Sequence, residues 1–154
     1  MTLMRVRKED FPLLMRRLGQ ETQPRQVRKP RRDDEHNEQV VFFNRIRALA
    51  ENQPQYALAI ERTFAIPNGG RRSKREAGRF KAEGVKAGVS DIFCALACGP
   101  HHGLFIEMKS LTGYPSREQR EWVEKSIACG YCAHVCRGAE IAVAAWKDYV
   151  DGVR

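Results

Sequence analysis

No apolar run in this chain is long enough to cross a membrane. The opening stretch MTLMRVRKEDFPLLMRRLG lacks the apolar core and small-residue cleavage site of a secretory signal. A cytoplasmic setting is therefore expected. There is no internal repeat to suggest a solenoid. Cysteines number five, an odd count that suits a disulfide framework poorly in such a setting. Cys129, Cys132 and Cys136 bracket His134, but zinc ligands come as turn-borne pairs with a second pair at matching spacing, and Cys94 and Cys98 do not supply one. The stretch Tyr131–Cys136 reads better as a strand with Cys132, His134 and Cys136 on one face. Most of the cysteines are thus expected to be small core residues.

Acidic residues are in deficit. Nineteen Asp and Glu face 27 Lys and Arg, a net charge of +8 in 154 residues, a length that fits one domain. Residues 1–34 hold ten basic side chains against five acidic, and residues 62–86 hold eight against two, whereas residues 101–154 balance at seven each. A basic excess gathered in two segments suits a polyanion such as nucleic acid. The first segment, rich in Arg, Pro and Gln, reads as a flexible arm with a short helix near Phe11–Leu18.

Periodicity orders the rest. A helix is expected over 34–51, with Phe42, Phe43, Ile46, Leu49 and Ala50 on its apolar stripe. Glu35 projects into that stripe, Gln39 beside it and Glu38 toward its edge. Glu35 either faces inward for a reason or only stabilises the helix N-terminus. After the connector NQPQYALAIE come a strand over 62–66 and a turn at Asn68-Gly69-Gly70. Ser73 and Glu76 match a capping box, and Gly84 ends the helix they begin. Arg71 and Arg72 lie just before that N-terminus, where guanidinium and backbone N–H groups could hold a phosphate. Strands follow from about Ser90 and over 103–109, joined by a loop at 98–102 that carries His101 and His102 at its tip. A helix over 117–128, a strand over 131–136 and a helix over 139–149 complete an α-β-α-β-β-α-β-α order. A mixed sheet flanked by helices is expected, an α/β fold.

The stretch SDIFCALACGPHHGLFIEMKS carries the chemistry. In strand 103–109, Glu107 and Lys109 alternate onto the face of Phe105, while Leu104, Ile106 and Met108 take the other. A strand apolar on both faces but ending in a carboxylate and an amine is a buried strand with charges that need compensation. If a hairpin joins the two strands, Asp91 at the start of one meets Glu107 and Lys109 at the end of the other. Two such carboxylates call for a cation. Mg²⁺, with Mn²⁺ as a substitute, suits Asp91, Glu107 and the backbone carbonyl of Met108, and leaves room for water and a phosphate. Lys109 would orient or help deprotonate the attacking water. Such a set hydrolyses phosphodiesters.

The pattern S-D, fifteen residues, E-M-K resembles the core of the PD-(D/E)xK nucleases. The wider run AIPNGGRRSKREAGRFKAEGVKAGVSDIF, GLFIEMK and SREQREW resembles the VRR-NUC family, with Ser90 in place of the name-giving proline. The resemblance implies a restriction-endonuclease-like fold over residues 35–150, with 1–34 as the arm. It implies Asp91 and Glu107 as metal ligands, Lys109 as catalytic lysine, Glu35 as first-helix acid and Gln119 as an active-site residue. Asn68, Arg71, Arg72, Lys74 and Arg75 form the expected nucleic-acid-binding set. Gln119 also completes a capping box with Ser116, but its shared face with Trp122, Val123 and Ile127 points inward. A Mg²⁺-dependent endonuclease for branched, flap or four-way DNA, acting as a homodimer in phage or bacterial replication, recombination or repair, is what the resemblance implies. The alternative is a non-catalytic nucleic-acid-binding module built on the arm and the Arg71–Lys86 segment.

Overall fold

The computed structural model describes residues 32–67 and 74–152. The expected arm helix, the Asn68-Gly69-Gly70 turn, Arg71, Arg72 and Ser73 lie outside them. The first helix, α1 (Arg32–Asn52), forms where the apolar stripe called for it. Phe42 and Ile46 are fully buried, and Phe43, Leu49 and Ala50 pack partly buried against the same core. Pro54 then starts a 3₁₀ turn (Pro54–Tyr56) that runs into a short helix, α2 (Ala57–Glu61). A connector was expected here. One and a half turns is too short for a helical period to show in sequence, yet Tyr56 and Ala59 anchor the segment in the core.

The chain continues through β1 (Thr63–Ala65), α3 (Lys74–Ala82), β2 (Ile92–Cys94), β3 (Leu104–Lys109), α4 (Arg117–Ala128), β4 (Cys132–Arg137) and α5 (Ala139–Asp151). The sheet order is β1-β2-β3-β4, antiparallel between the first three strands and parallel between β3 and β4. The parallel pair needs a crossover, which α4 provides. This is the expected mixed sheet flanked by helices.

β2 is shorter than the apolar run Ile92–Ala97 suggests. Ala95 N–H continues the pairing with β1 by donating to the carbonyl of Arg62 at 2.8 Å, and Cys98 and His101 then form a small bridge of their own around Gly99-Pro100. The connection to β3 runs from 95 to 103. Gly103 lets the chain return tightly: a Cβ there would lie 2.8 Å from the Phe93 ring and 2.9 Å from the Cys94 carbonyl.

Register sorts the side chains. Ile92 faces Ile106, and Cys94 faces Leu104; Met108 pairs with Cys136. These buried side chains meet α1 and α5 on one face of the sheet. There Trp146 of α5 is fully buried, with its Nε1–H on Thr63 Oγ1 at 2.9 Å. On the opposite face Phe105 stacks on Phe93 and meets Trp122 of α4 edge-on. The expected sharing of a face by Cys132 and His134 is seen, with Sγ and Nε2 3.3 Å apart. Cys94, Cys98 and Cys136 are buried.

Candidate active site

The strand ends bring the chemistry together. Asp91 directly precedes β2, and its Oδ2 accepts the N–H of Met108 at 2.8 Å. Ile66 N–H donates to the Asp91 carbonyl at 2.7 Å, so both sides of this residue are tied to neighbouring strands. Glu107 is wholly buried and Lys109 nearly so. The Lys109 ammonium lies 2.8 Å from Glu107 Oε1 and donates to the Met108 carbonyl at 2.9 Å. It is also 3.7 Å from Glu35 Oε1, which reaches it from the first turns of α1. The lysine therefore touches two of the three groups expected to hold a cation.

Electrostatics mark the cluster as under-compensated. Burial, and then the charge of Asp91, pushes the Glu107 carboxyl up to about 8. Burial also raises Asp91, against the lowering effect of the Met108 N–H and of Lys109. Burial works to lower Lys109, but Glu107, Glu35 and Asp91 outweigh it and the net shift is upward. Apart from the Lys109 ion pair and the adjacent Asp91 carboxyl, neither Glu107 oxygen has a hydrogen-bond donor among the described residues. A buried carboxyl and a half-buried one in this position share a proton or bind a cation.

The donor set fits a hard divalent ion. It offers two carboxylates and a carbonyl, all oxygen; among the described residues no group of three or more His, Cys, Asp or Glu side chains is placed to hold a metal ion by itself. A magnesium-type ion keeps the remaining positions for water and phosphate.

The two acids of α1 take separate paths. Glu38 Oε2 accepts the N–H of Ala139 at 2.6 Å, at the first turn of α5. Gly138 precedes that helix at φ 84° with no side chain to cap it, so a carboxylate from another helix does so. Glu35 faces Lys109 instead. Gln119 sits in the cap of α4. Its Oε1 accepts the N–H of Ser116 at 2.7 Å, and its own N–H donates to Ser116 Oγ at 3.2 Å. The side chain closes the capping box of α4, and none of its described contacts reaches Asp91, Glu107 or Lys109. The helix start has free N–H groups to satisfy, and Ser116-x-x-Gln119 satisfies them locally. Lys74 and Arg75 lie in the first turn of α3, and their side chains fall outside the described set.

Arg137 was not singled out in the sequence. It pairs with Lys109 across the parallel ladder, and its Nε donates to the Gly113 carbonyl at 3.1 Å. The available signal was a basic residue closing a second strand just before a glycine.

No family model matches the sequence, and no curated protein matches it. Among solved structures, a chain described as a "VRR_NUC domain protein" matches with a TM-score of 0.62 at 29% identity, over 78% of this chain and 94% of that one. The chain has a VRR-NUC-like fold. The likeness is to a nuclease-family domain, and the VRR-NUC-like fold accounts for the four-stranded mixed sheet with its flanking helices. Among the described residues no helix is long and apolar enough to cross a membrane.

Proposed function

We propose that this chain is a divalent-metal-dependent endonuclease that hydrolyses phosphodiester bonds in DNA. The observation that carries the reading is Glu107: a carboxylate buried completely beside Asp91, with a lysine two residues on along the same strand. Packing alone does not favour such an arrangement, because buried charge without full compensation is costly. Asp91, Glu107 and the Met108 carbonyl would hold Mg²⁺, or Mn²⁺ in its place. The ion, when bound, supplies Lewis-acid stabilisation of the phosphoryl oxygens and lowers the pKa of water.

The chain's own residues do the rest. The Met108 N–H fixes the Asp91 carboxylate, so the strand pairing itself sets the ligand's direction. Lys109 lies against Glu107 at 2.8 Å in the metal-free protein, and on a charged substrate it orients the attacking water and offsets phosphate charge. Glu35, 3.7 Å from the ammonium, helps to keep it charged. The net charge of +8 favours association with a polyanion. The substrate is branched DNA of the flap or junction kind, and the working form is a homodimer in replication, recombination or repair in a phage or bacterial setting. The support for these finer points is the resemblance carried by the sequence motifs and the nuclease-family fold.

A cleavage assay decides the reading. Flap, nicked and four-way DNA are incubated with Mg²⁺, with EDTA as the control. Cutting in Mg²⁺ alone is expected. Binding without cutting in Mg²⁺ or Mn²⁺ would leave a non-catalytic module.

A further inference from the structure

Beside the site, one turn exposes apolar surface in an unusual way. Leu111 and Tyr114 are 72% and 76% exposed, whereas the other exposed large hydrophobics described range from 37% to 56%. Both follow closely on Lys109, and both sit on a turn held in place. Gly113 N–H closes on the Ser110 carbonyl at 2.9 Å, and Arg137 Nε pins the Gly113 carbonyl. A Cβ on Gly113 would come within 3.0 Å of Ser110 Oγ and 3.3 Å of Glu35 Oε1, so the turn lies directly over the first-helix acid. Leu111 leans on Gly138, where a Cβ would be 2.9 Å from its Cδ2. Arg137 lies over the Tyr114 ring at 4.4 Å.

A fixed turn that spends its two largest side chains on water is poorly explained by stability. Burial of a tyrosine or leucine side chain stabilises a protein, and exposure forgoes that gain. An aromatic ring with a guanidinium over it, at the mouth of a phosphodiester site, matches instead the two halves of a nucleotide. We propose that Tyr114, backed by Arg137 and flanked by Leu111, is a stacking platform for an unpaired nucleobase next to the scissile phosphate. Bases inside a continuous duplex already stack on one another and present no free face. Only a flap, a junction or a frayed end offers one. The turn thereby determines specificity for branched over continuous DNA. The inference rests on the nuclease reading above and names the feature that site selects.

The test measures binding, so it stands apart from cleavage. Affinities are measured by fluorescence anisotropy in Ca²⁺ for a continuous duplex and for the same duplex with a one-nucleotide flap carrying 2-aminopurine. The full chain should prefer the flap by roughly five- to a hundredfold, the range of one base–aromatic stack, and should quench the 2-aminopurine. Tyr114→Ala should bring the ratio close to one and abolish the quench, while Tyr114→Phe should keep both. Tyr114→Leu should lose both although it remains apolar. An unchanged ratio in Tyr114→Ala overturns the platform and leaves the nuclease reading standing. Failure of the unaltered chain to bind either DNA overturns both. A change in sedimentation mass in Tyr114→Ala, with the ratio unaltered, would make the turn a contact between copies and overturn the platform as well.

Discussion

The two ends of β3 are equally dry and chemically opposite. At one end Leu104 and Ile106 are fully buried among Ile92, Cys94 and the helices α1 and α5. At the other, Glu107 is also fully buried and Lys109 is 5% exposed. The first end is stabilised by removing carbon from water, which needs no partner of particular charge. The second end holds ionisable groups away from water, and their proton count is set first by that burial and then by neighbouring charges. Equal burial therefore means opposite things along one strand. The apolar end contributes stability, and the charged end costs some of it.

The contrast is sharpest in cleavage. Lys109→Ala should reduce Mg²⁺-dependent cutting by roughly 10²- to 10⁴-fold, the range for a positioned proton-handling group. Its fold and DNA binding should stay largely intact. Asp91→Asn and Glu107→Gln should abolish cutting as well, and both should lessen the Mg²⁺-induced rise in Tm. Equal rises in the variants and the unaltered chain would show that these carboxylates do not hold the metal.

At the apolar end the largest single loss should come from Trp146→Ala. Emptying a site this large costs about 3–5 kcal/mol, and Thr63 Oγ1 would also lose its donor. Urea denaturation reads the cost directly. A loss below about 1 kcal/mol would mean that the α5 face is not where stability resides.

A smaller effect separates the ends by pH. With metal removed, the folded chain keeps a proton on Glu107 up to about 8, against an ordinary value of 4.5. A carboxyl raised in this way contributes stability in full below about 4.5, and the contribution is lost as pH rises through about 8. In EDTA the Tm should therefore fall between those limits. Glu107→Gln should flatten the curve and be the more stable protein at pH 8. An equally steep fall in Glu107→Gln would place the titration elsewhere.

The smallest expected effects belong to the two acids of α1. Glu38→Ala should lower stability by about 1 kcal/mol through loss of the α5 cap. Glu35→Gln should leave stability almost unchanged and lower cleavage, since its described partner is Lys109. Chemical denaturation and cleavage rates on the same two variants separate the roles.

By itself the sequence determined most of the architecture, because the relevant forces are local or periodic. The α1 stripe, the Ser116 cap, the alternation in β3 and the strand-end pattern Asp91, Glu107, Lys109 all follow from spacing and residue type. Tertiary structure decided what spacing leaves degenerate. Ser-x-x-Gln satisfies a helix start whether or not a site lies nearby, and only packing shows Gln119 held in the cap. Glu35 and Glu38 are one turn apart and chemically identical, so their roles depend on Lys109 and Ala139, which lie 74 and 101 residues away in the chain. The helix at Ala57–Glu61 exists because Tyr56 and Ala59 meet a core made elsewhere, and five residues cannot sustain a helix alone. The pairing of Arg137 with Lys109, and its place over Tyr114, required β4 to lie parallel beside β3. Register between distant strands is a property of the assembled sheet, since no residue carries it alone.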